Sequence, residues 1–216
     1  MIVAIDGPAG AGKSSAAKRL AHRLGFRFLD TGAMYRAVAL AGLRRKIDWN
    51  DAPGLARLAR QAEIALPGDR VLLDGEDVTH EIRTLIVTSH THYPATNAAV
   101  REHLVELQRQ VAAGQNVVTE GRDQGTVVFP AAECKIFLTA SPTERARRRL
   151  LDLKEHGETV TFEEVLADQN ERDLRDANRD VGPLKPASDA LEFNTDGLSP
   201  AEVVDRLEAL VRARLA

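Results

Sequence analysis

The stretch "IVAIDGPAGAGKSS", Ile2 to Ser15, decides the fold. Ile2–Asp6 is a short apolar run rich in β-branched residues, the pattern of a parallel strand buried on both faces. The next eight residues, Gly7, Pro8, Ala9, Gly10, Ala11, Gly12, Lys13 and Ser14, satisfy G-x-x-x-x-G-K-[ST] at every position. Lys13–Leu24 then reads as a helix, closed by Gly25. A glycine-rich turn between strand and helix lets backbone N–H groups wrap a phosphate, and the helix N-terminus adds partial positive charge. Residues 7–15, Ser15 included, are therefore expected to cradle a nucleoside triphosphate. Lys13 is expected on the β- and γ-phosphates, and the Ser14 hydroxyl on Mg²⁺.

Working outward, "FRFLD" (26–30) reads as a second strand and 33–45 as a helix capped by Thr31. Residues 50–95 change character. A helix near 53–63 leads to two short runs joined by Pro67-Gly68-Asp69, a hairpin signal that suggests an inserted subdomain. A helix at 97–112 ends near Gly114. "NVVTEG" (116–121), "KIFLTA" (135–140) and "ALEFNT" (190–195) are further strands. Ser141-Pro142-Thr143-Glu144, Thr161-Phe162-Glu163-Glu164 and Ser199-Pro200-Ala201-Glu202 are capping boxes, the second opening a helix to about 178. Val203, Leu207, Leu210 and Val211 share an apolar face. Strands alternating with helices predict an α/β fold. The expected form is a doubly wound parallel sheet of about five strands flanked by helices, with ligands at the strands' carboxyl ends.

Composition narrows the function classes. The chain has 216 residues and a net charge of −3, which argues against a nucleic-acid partner. No apolar run approaches a membrane span. Cys134 is the single cysteine, so no intrachain disulfide forms; this fits a reducing compartment. Met1 leads directly into a strand, so no cleavable signal is expected ahead of the fold, and a cytoplasmic protein is expected. Of the 29 basic residues, 23 are arginine. Genomic composition and phosphate chemistry account for that bias equally well, so each arginine is judged by position.

Four stretches matter. "DTGAMYR" (30–36) sets Tyr35 and Arg36 in the helix after the second strand; a surface arginine and a half-buried tyrosine is the competing reading. "TEGRDQGTVVFP" (119–130) sets Arg122 and Asp123 just beyond the third strand. "NERDLRDANRD" (170–180) sets Arg172, Asp176 and Arg179 at i, i+4 and i+7, on one face of a helix; a solvated, ion-paired helix competes. Arg145, Arg147, Arg148 and Arg149 crowd the helix after the fourth strand. Their mutual repulsion suggests an anion that they close over.

These motifs together resemble the bacterial cytidylate kinases. The likeness rests on "GPAGAGKSS", "LDTGAMYRAVA", "DGEDVTHEIRT", "VREHLVELQR", "EGRDQGTVVFP", "KIFLTASPTERARRR" and "ERDLRDANRDVGPLKPASDA", in order over nearly the whole chain. The resemblance implies one P-loop kinase domain, 1–216, with an inserted NMP-binding subdomain near 34–100 and a helical lid near 145–160. It implies transfer of phosphate from ATP to CMP or dCMP by a Mg²⁺-dependent, usually monomeric enzyme. Arg36, Arg122 and Arg179 would lie near the CMP phosphate. Asp176, supported by Arg172, would hold the ribose. Arg101 and Asp123 would face cytosine, and Thr31 would approach the nucleotide. Lys13, Arg122, Arg179, Arg145 and Arg149 would be the catalytic set.

The base chemistry agrees independently: a carboxylate accepts from the cytosine N4 amino group, whereas uracil would oppose acceptor to acceptor. The acceptor is itself a phosphate anion, so no general base is required. A shikimate-type kinase, with Asp30 as base, and a non-catalytic nucleotide-binding regulator are the other readings. The chain leaves the family pattern at Gln124, expected to meet the base or the rim. It also departs at His90, His92 and Tyr93, where small polar residues are usual and a histidine metal site is the rarer alternative.

Overall fold

The computed structural model describes residues 1–155 and 157–215. His156, inside the stretch expected as a lid, lies outside the described residues. The elements in chain order are β1 (Ile2–Asp6), α1 (Lys13–Leu24), β2 (Arg27–Asp30), α2 (Thr31–Arg44), α3 (Ala52–Gln61), β3 (Ile64–Ala65), β4 (Leu72–Leu73) and β5 (Glu76–Asp77). A 3₁₀ turn (Glu81–Arg83) leads to α4 (Leu85–His90), α5 (His92–Thr96), α6 (Ala98–Ala112) and β6 (Val117–Gly121). A π-helical turn (Gln124–Val128) precedes β7 (Cys134–Thr139), α7 (Pro142–Glu155), α8 (Phe162–Ala177), β8 (Leu191–Asn194) and α9 (Pro200–Leu215). The main parallel sheet has the order β2-β6-β1-β7-β8. No helix among the described residues is long and apolar enough to cross a membrane.

The chain divides into two compact units, one of Met1–Phe26 with Asn116–Ala216, the other of Arg27–Gln115. In the first, Val3, Ala4, Ile5, Val117, Val118, Ile136 and Leu138 are at most 1% exposed. Near-continuous apolar strands of this kind are what a sheet covered on both faces requires. Helices α1 and α9 pack together, α9 burying Val203, Val204, Leu207 and Val211. Asp6 is in register with Gly121 on β6 and with Phe137 on β7. The phosphate loop and the Arg122 segment therefore leave the same edge of the sheet at the same level.

The second unit contains the residues expected near 34–100. Its α2 buries Ala33, Met34, Ala37, Val38, Ala39, Leu40 and Ala41 and packs against α3 and α4. Two local expectations change. Asp30, not Thr31, caps α2: its Oδ1 accepts the Ala33 N–H at 2.8 Å, and Thr31 is the first helical residue. The hairpin gains a third strand, β5, after Asp74-Gly75 with φ of 52° and 83°. That Asp-Gly pair is itself a hairpin signal, masked in the sequence by the more conspicuous Pro67-Gly68.

The capping boxes fare unequally. At Thr161 and at Ser199 both halves form. At Ser141 only the hydroxyl half does: Glu144 turns to Arg147 and Arg148, and the Ser141 N–H is taken by Asp196. Two arginines offer the Glu144 carboxylate charge-assisted bonds, which outbid one backbone N–H.

Candidate active site

Gly7 opens the phosphate loop with φ of +148°, and a Cβ there would stand 1.9 Å from the Leu138 carbonyl oxygen. Only glycine admits that approach of loop to β7. The Ala9 carbonyl accepts from Arg145 Nη1 at 3.0 Å, and Arg148 Nη1 and Thr195 Oγ1 each lie 3.5 Å from the Ala11 carbonyl. In a trans peptide the following N–H points opposite to the carbonyl. The N–H groups of Gly10 and Gly12 therefore face away from these donors, as a phosphate cradle needs.

Lys13 is buried and donates to the Pro8 carbonyl at 2.7 Å. Burial is the main force lowering its pKa, to about 7; Arg122 and Arg172 lower it further, opposed by Glu120 and Asp6. Ser14 Oγ donates to Glu120 Oε1 at 2.9 Å, joining residues far apart in sequence. Glu120 was not picked out as a functional residue by sequence; its place at the carboxyl end of β6, level with Ile5, is the signal that finds it. A hydroxyl and a carboxylate oxygen are hard donors that suit Mg²⁺.

The stretch from Arg122 to Arg179 assembles around one carboxylate. Arg122 Nε donates to Asp176 Oδ2 at 2.8 Å, and Arg179 Nη1 lies 4.0 Å from Asp176 Oδ1. Burial alone would raise the Asp176 pKa, but Arg122, Arg179 and Arg172 outweigh it and hold the carboxyl below its ordinary value. Arg172 thus acts on both Lys13 and Asp176. Helix α8 ends at Ala177, so Arg179 lies beyond it and not on its face; its Nη2 donates to the Gly182 carbonyl at 2.8 Å. Asp123 is 5% exposed. Gln124 corrects the expectation of a rim or base contact: it is 1% exposed, and its Oε1 accepts the Thr119 hydroxyl at 2.8 Å.

The α7 arginines do not repel one another as expected. Glu144 takes Arg147 and Arg148, at 2.9–3.0 Å. Arg145 is buried against Asp173 at 2.7 Å and donates to the carbonyls of Ala140 and Ala9. Arg149 is half-buried, with no ion pair or hydrogen bond to the described residues. Sequence spacing places charges but not their partners.

Within the second unit, Asp30 receives Arg36 at 3.1 and 3.2 Å and Arg83 at 3.1 Å, besides capping α2. Arg83 was not singled out from the sequence. Arg101 is 2% exposed; its Nη1 donates to the Ala95 carbonyl and its guanidinium stands 5.7 Å over the Tyr35 ring. Thr31 is 3% exposed. His90, His92 and Tyr93 form an aromatic cluster with Trp49, whose ring stacks on Tyr93 at 4.8 Å. No group of three or more His, Cys, Asp or Glu side chains that could hold a metal ion occurs among the described residues.

A Walker-type loop on a parallel sheet, with a buried lysine, a hydroxyl–carboxylate pair and an arginine-bound carboxylate at one edge, defines a P-loop phosphotransferase. Solved structures share the fold. These include TT1252 from Thermus thermophilus (TM-score 0.52, 21% identity, 100% of this chain and 98% of that one) and shikimate kinase from Bacteroides thetaiotaomicron (TM-score 0.52, 16% identity, 98% of each). The chain belongs to the cytidylate kinase family, whose profile matches residues 3–213. It is 55% identical to the cytidylate kinase of Rhodopirellula baltica, over 98% of this chain and 93% of that protein. The Pelotomaculum thermopropionicum cytidylate kinase is 51% identical over 98% and 96%.

Proposed function

We propose that the protein transfers the γ-phosphate of ATP to CMP or dCMP, giving ADP and CDP or dCDP. An oxygen of the acceptor phosphate forms the new bond to the γ-phosphorus, and ADP leaves with the electrons of the broken bond. The acceptor is already an anion near neutral pH, so no side chain need remove a proton. Catalysis then rests on positioning and charge. The observation that carries the reading is the cluster of Arg122, Arg179 and Asp176, which shares its electrostatic field with Lys13. Arg122 and Arg179, with Arg36, are assigned to the acceptor phosphate. Asp176 with Arg172 is assigned to the ribose, and Asp123 with Arg101 to cytosine. Thr31 and Tyr35 complete the acceptor side.

Ser14 and Glu120 would hold Mg²⁺, which when bound neutralises triphosphate charge. Arg149 is assigned to a lid near 145–160. Arg145 acts on the chemistry through the loop that it braces. The 34–100 stretch is assigned to NMP binding. A cytoplasmic monomer is part of the same proposal, supported by the family resemblance and tested by light scattering and fractionation.

Asp30 argues against an alcohol acceptor. Its oxygens are taken by the Ala33 N–H, Arg36 and Arg83, which suits a cap and an arginine anchor better than a base. A coupled assay of ADP release with CMP, dCMP, UMP, AMP and shikimate tests the reading. Highest turnover is expected with CMP or dCMP; a non-cytidine preference would overturn it.

A further inference from the structure

We propose that Asp6 is a positioning residue for acceptor recognition: from the end of the strand that launches the phosphate loop, its carboxylate holds the turn that aims Arg122 and Asp123. This rests on the function proposed above. Asp6 is 4% exposed, and the sequence gives it no role beyond ending β1. Its Oδ1 accepts the Gln124 N–H at 2.8 Å and its Oδ2 the Gly125 N–H at 2.7 Å. These are the first two residues of the π-helical turn, immediately after Asp123. The donors diverge to two separate oxygens, so the position calls for a carboxylate. An asparagine would accept one N–H and oppose its own NH₂ to the other.

The turn is gripped elsewhere too. Thr119 on β6 donates to the Gln124 side chain, and Lys135 on β7 donates to the Pro130 carbonyl at 2.6 Å. Gly125 fits between: a Cβ there would lie 3.2 Å from Lys135 Cδ and 3.4 Å from Asp6 Oδ2. Burial raises the Asp6 pKa to about 6; the Gly125 and Gln124 N–H groups oppose this, Asp123 adds to it and Lys13 offsets it. A carboxylate kept here against that desolvation has a geometric task that a neutral side chain cannot perform.

The test measures KM for CMP and for ATP, and the CMP-over-UMP preference, in wild type, Asp6→Asn and Gly125→Ala. Displacing the turn is expected to raise KM for CMP about ten- to a hundredfold. The CMP-over-UMP preference should fall in both variants, while in Gly125→Ala, which keeps the Asp6 charge beside Lys13, KM for ATP stays within about twofold. Gly125→Ala leaves the Asp6 charge in place and pushes the turn from the other side, so it carries the test if Asp6→Asn does not fold. Equal rises in both KM values in Gly125→Ala, or a CMP KM within about twofold of wild type in the folded variants, would overturn the inference. A wild type inactive on CMP would overturn the activity itself, before any variant is compared.

Discussion

The phosphate loop and helix α7 both look like ligand machinery in sequence, and the structure treats them differently. In the loop, conformation does the work: glycine lets the backbone approach β7, and carbonyls turned towards Arg145, Arg148 and Thr195 leave N–H groups facing the other way. In α7, the side chains are the signal, and most of that signal is spent inside the protein. Glu144 binds two arginines and Asp173 a third. Backbone geometry encoded by glycine at fixed spacing is local, whereas a charged side chain finds its partner through the fold.

The largest effect should come from the loop. Lys13→Ala is expected to lower kcat by about a thousandfold with the melting temperature little changed, since a cation aimed at the transferring group is removed. Stopped-assay kinetics with a thermal melt checks this. A loss confined to KM for ATP would reduce Lys13 to ground-state binding.

Arg145→Ala sharpens the comparison from the other side. It strips the partner from Asp173 Oδ2, whose other oxygen, Oδ1, is buried without a partner among the described residues. With the Asp173 side chain 22% exposed, the cost should fall below the roughly 3–5 kcal/mol of a fully buried pair, read as a lower melting temperature. Arg145→Ala with Asp173→Ala should cost less than the two single variants summed. Arg149→Ala should lower kcat by about tenfold at unchanged stability, the mark of a group acting on charge in the transition state. A kcat loss at full stability for Arg145→Ala would return Arg145 to direct catalysis.

How far the sequence carried follows the same division. The strand, loop and helix from Ile2 to Leu24 were legible because apolar period and glycine spacing are local. Glu120 was not legible as the partner of Ser14, because β6 reaches β1 only through sheet order. Gln124 was misread, since its neighbours in sequence are charged and loop-like while its side chain points into Thr119. Arg179 was placed on a helix that ends at Ala177; spacing alone cannot see where α8 stops. Arg83 meets Asp30 across 53 residues, beyond any periodicity.

A subtler prediction concerns the loop's charge. Burial first, then Arg122 and Arg172, lower the Lys13 pKa to about 7. Between there and the ordinary value of 10.5, the folded chain binds fewer protons than the unfolded chain, so this group's contribution to stability rises with pH. A bound polyphosphate favours the ammonium form and reverses the shift. ATP binding at pH 8 should therefore be accompanied by proton uptake, and by less uptake at pH 6. Calorimetry in buffers of different ionisation enthalpy measures it; uptake that persists in Lys13→Ala would assign the proton elsewhere.

The smallest effect is expected at Arg147, beside the arginines that matter. Its side chain is 64% exposed and, among the described residues, bonds only Glu144, which keeps Arg148 at 2.9 Å in any case. An exposed pair of this kind gains little and is screened by salt. Arg147→Ala should leave kcat and both KM values within about twofold, at low and high ionic strength alike. If it instead lowers kcat as Arg149→Ala does, α7 presents a continuous cationic face to the nucleotide. The contrast between a loop that works by backbone and a helix that mostly braces itself would then fail at its weakest member.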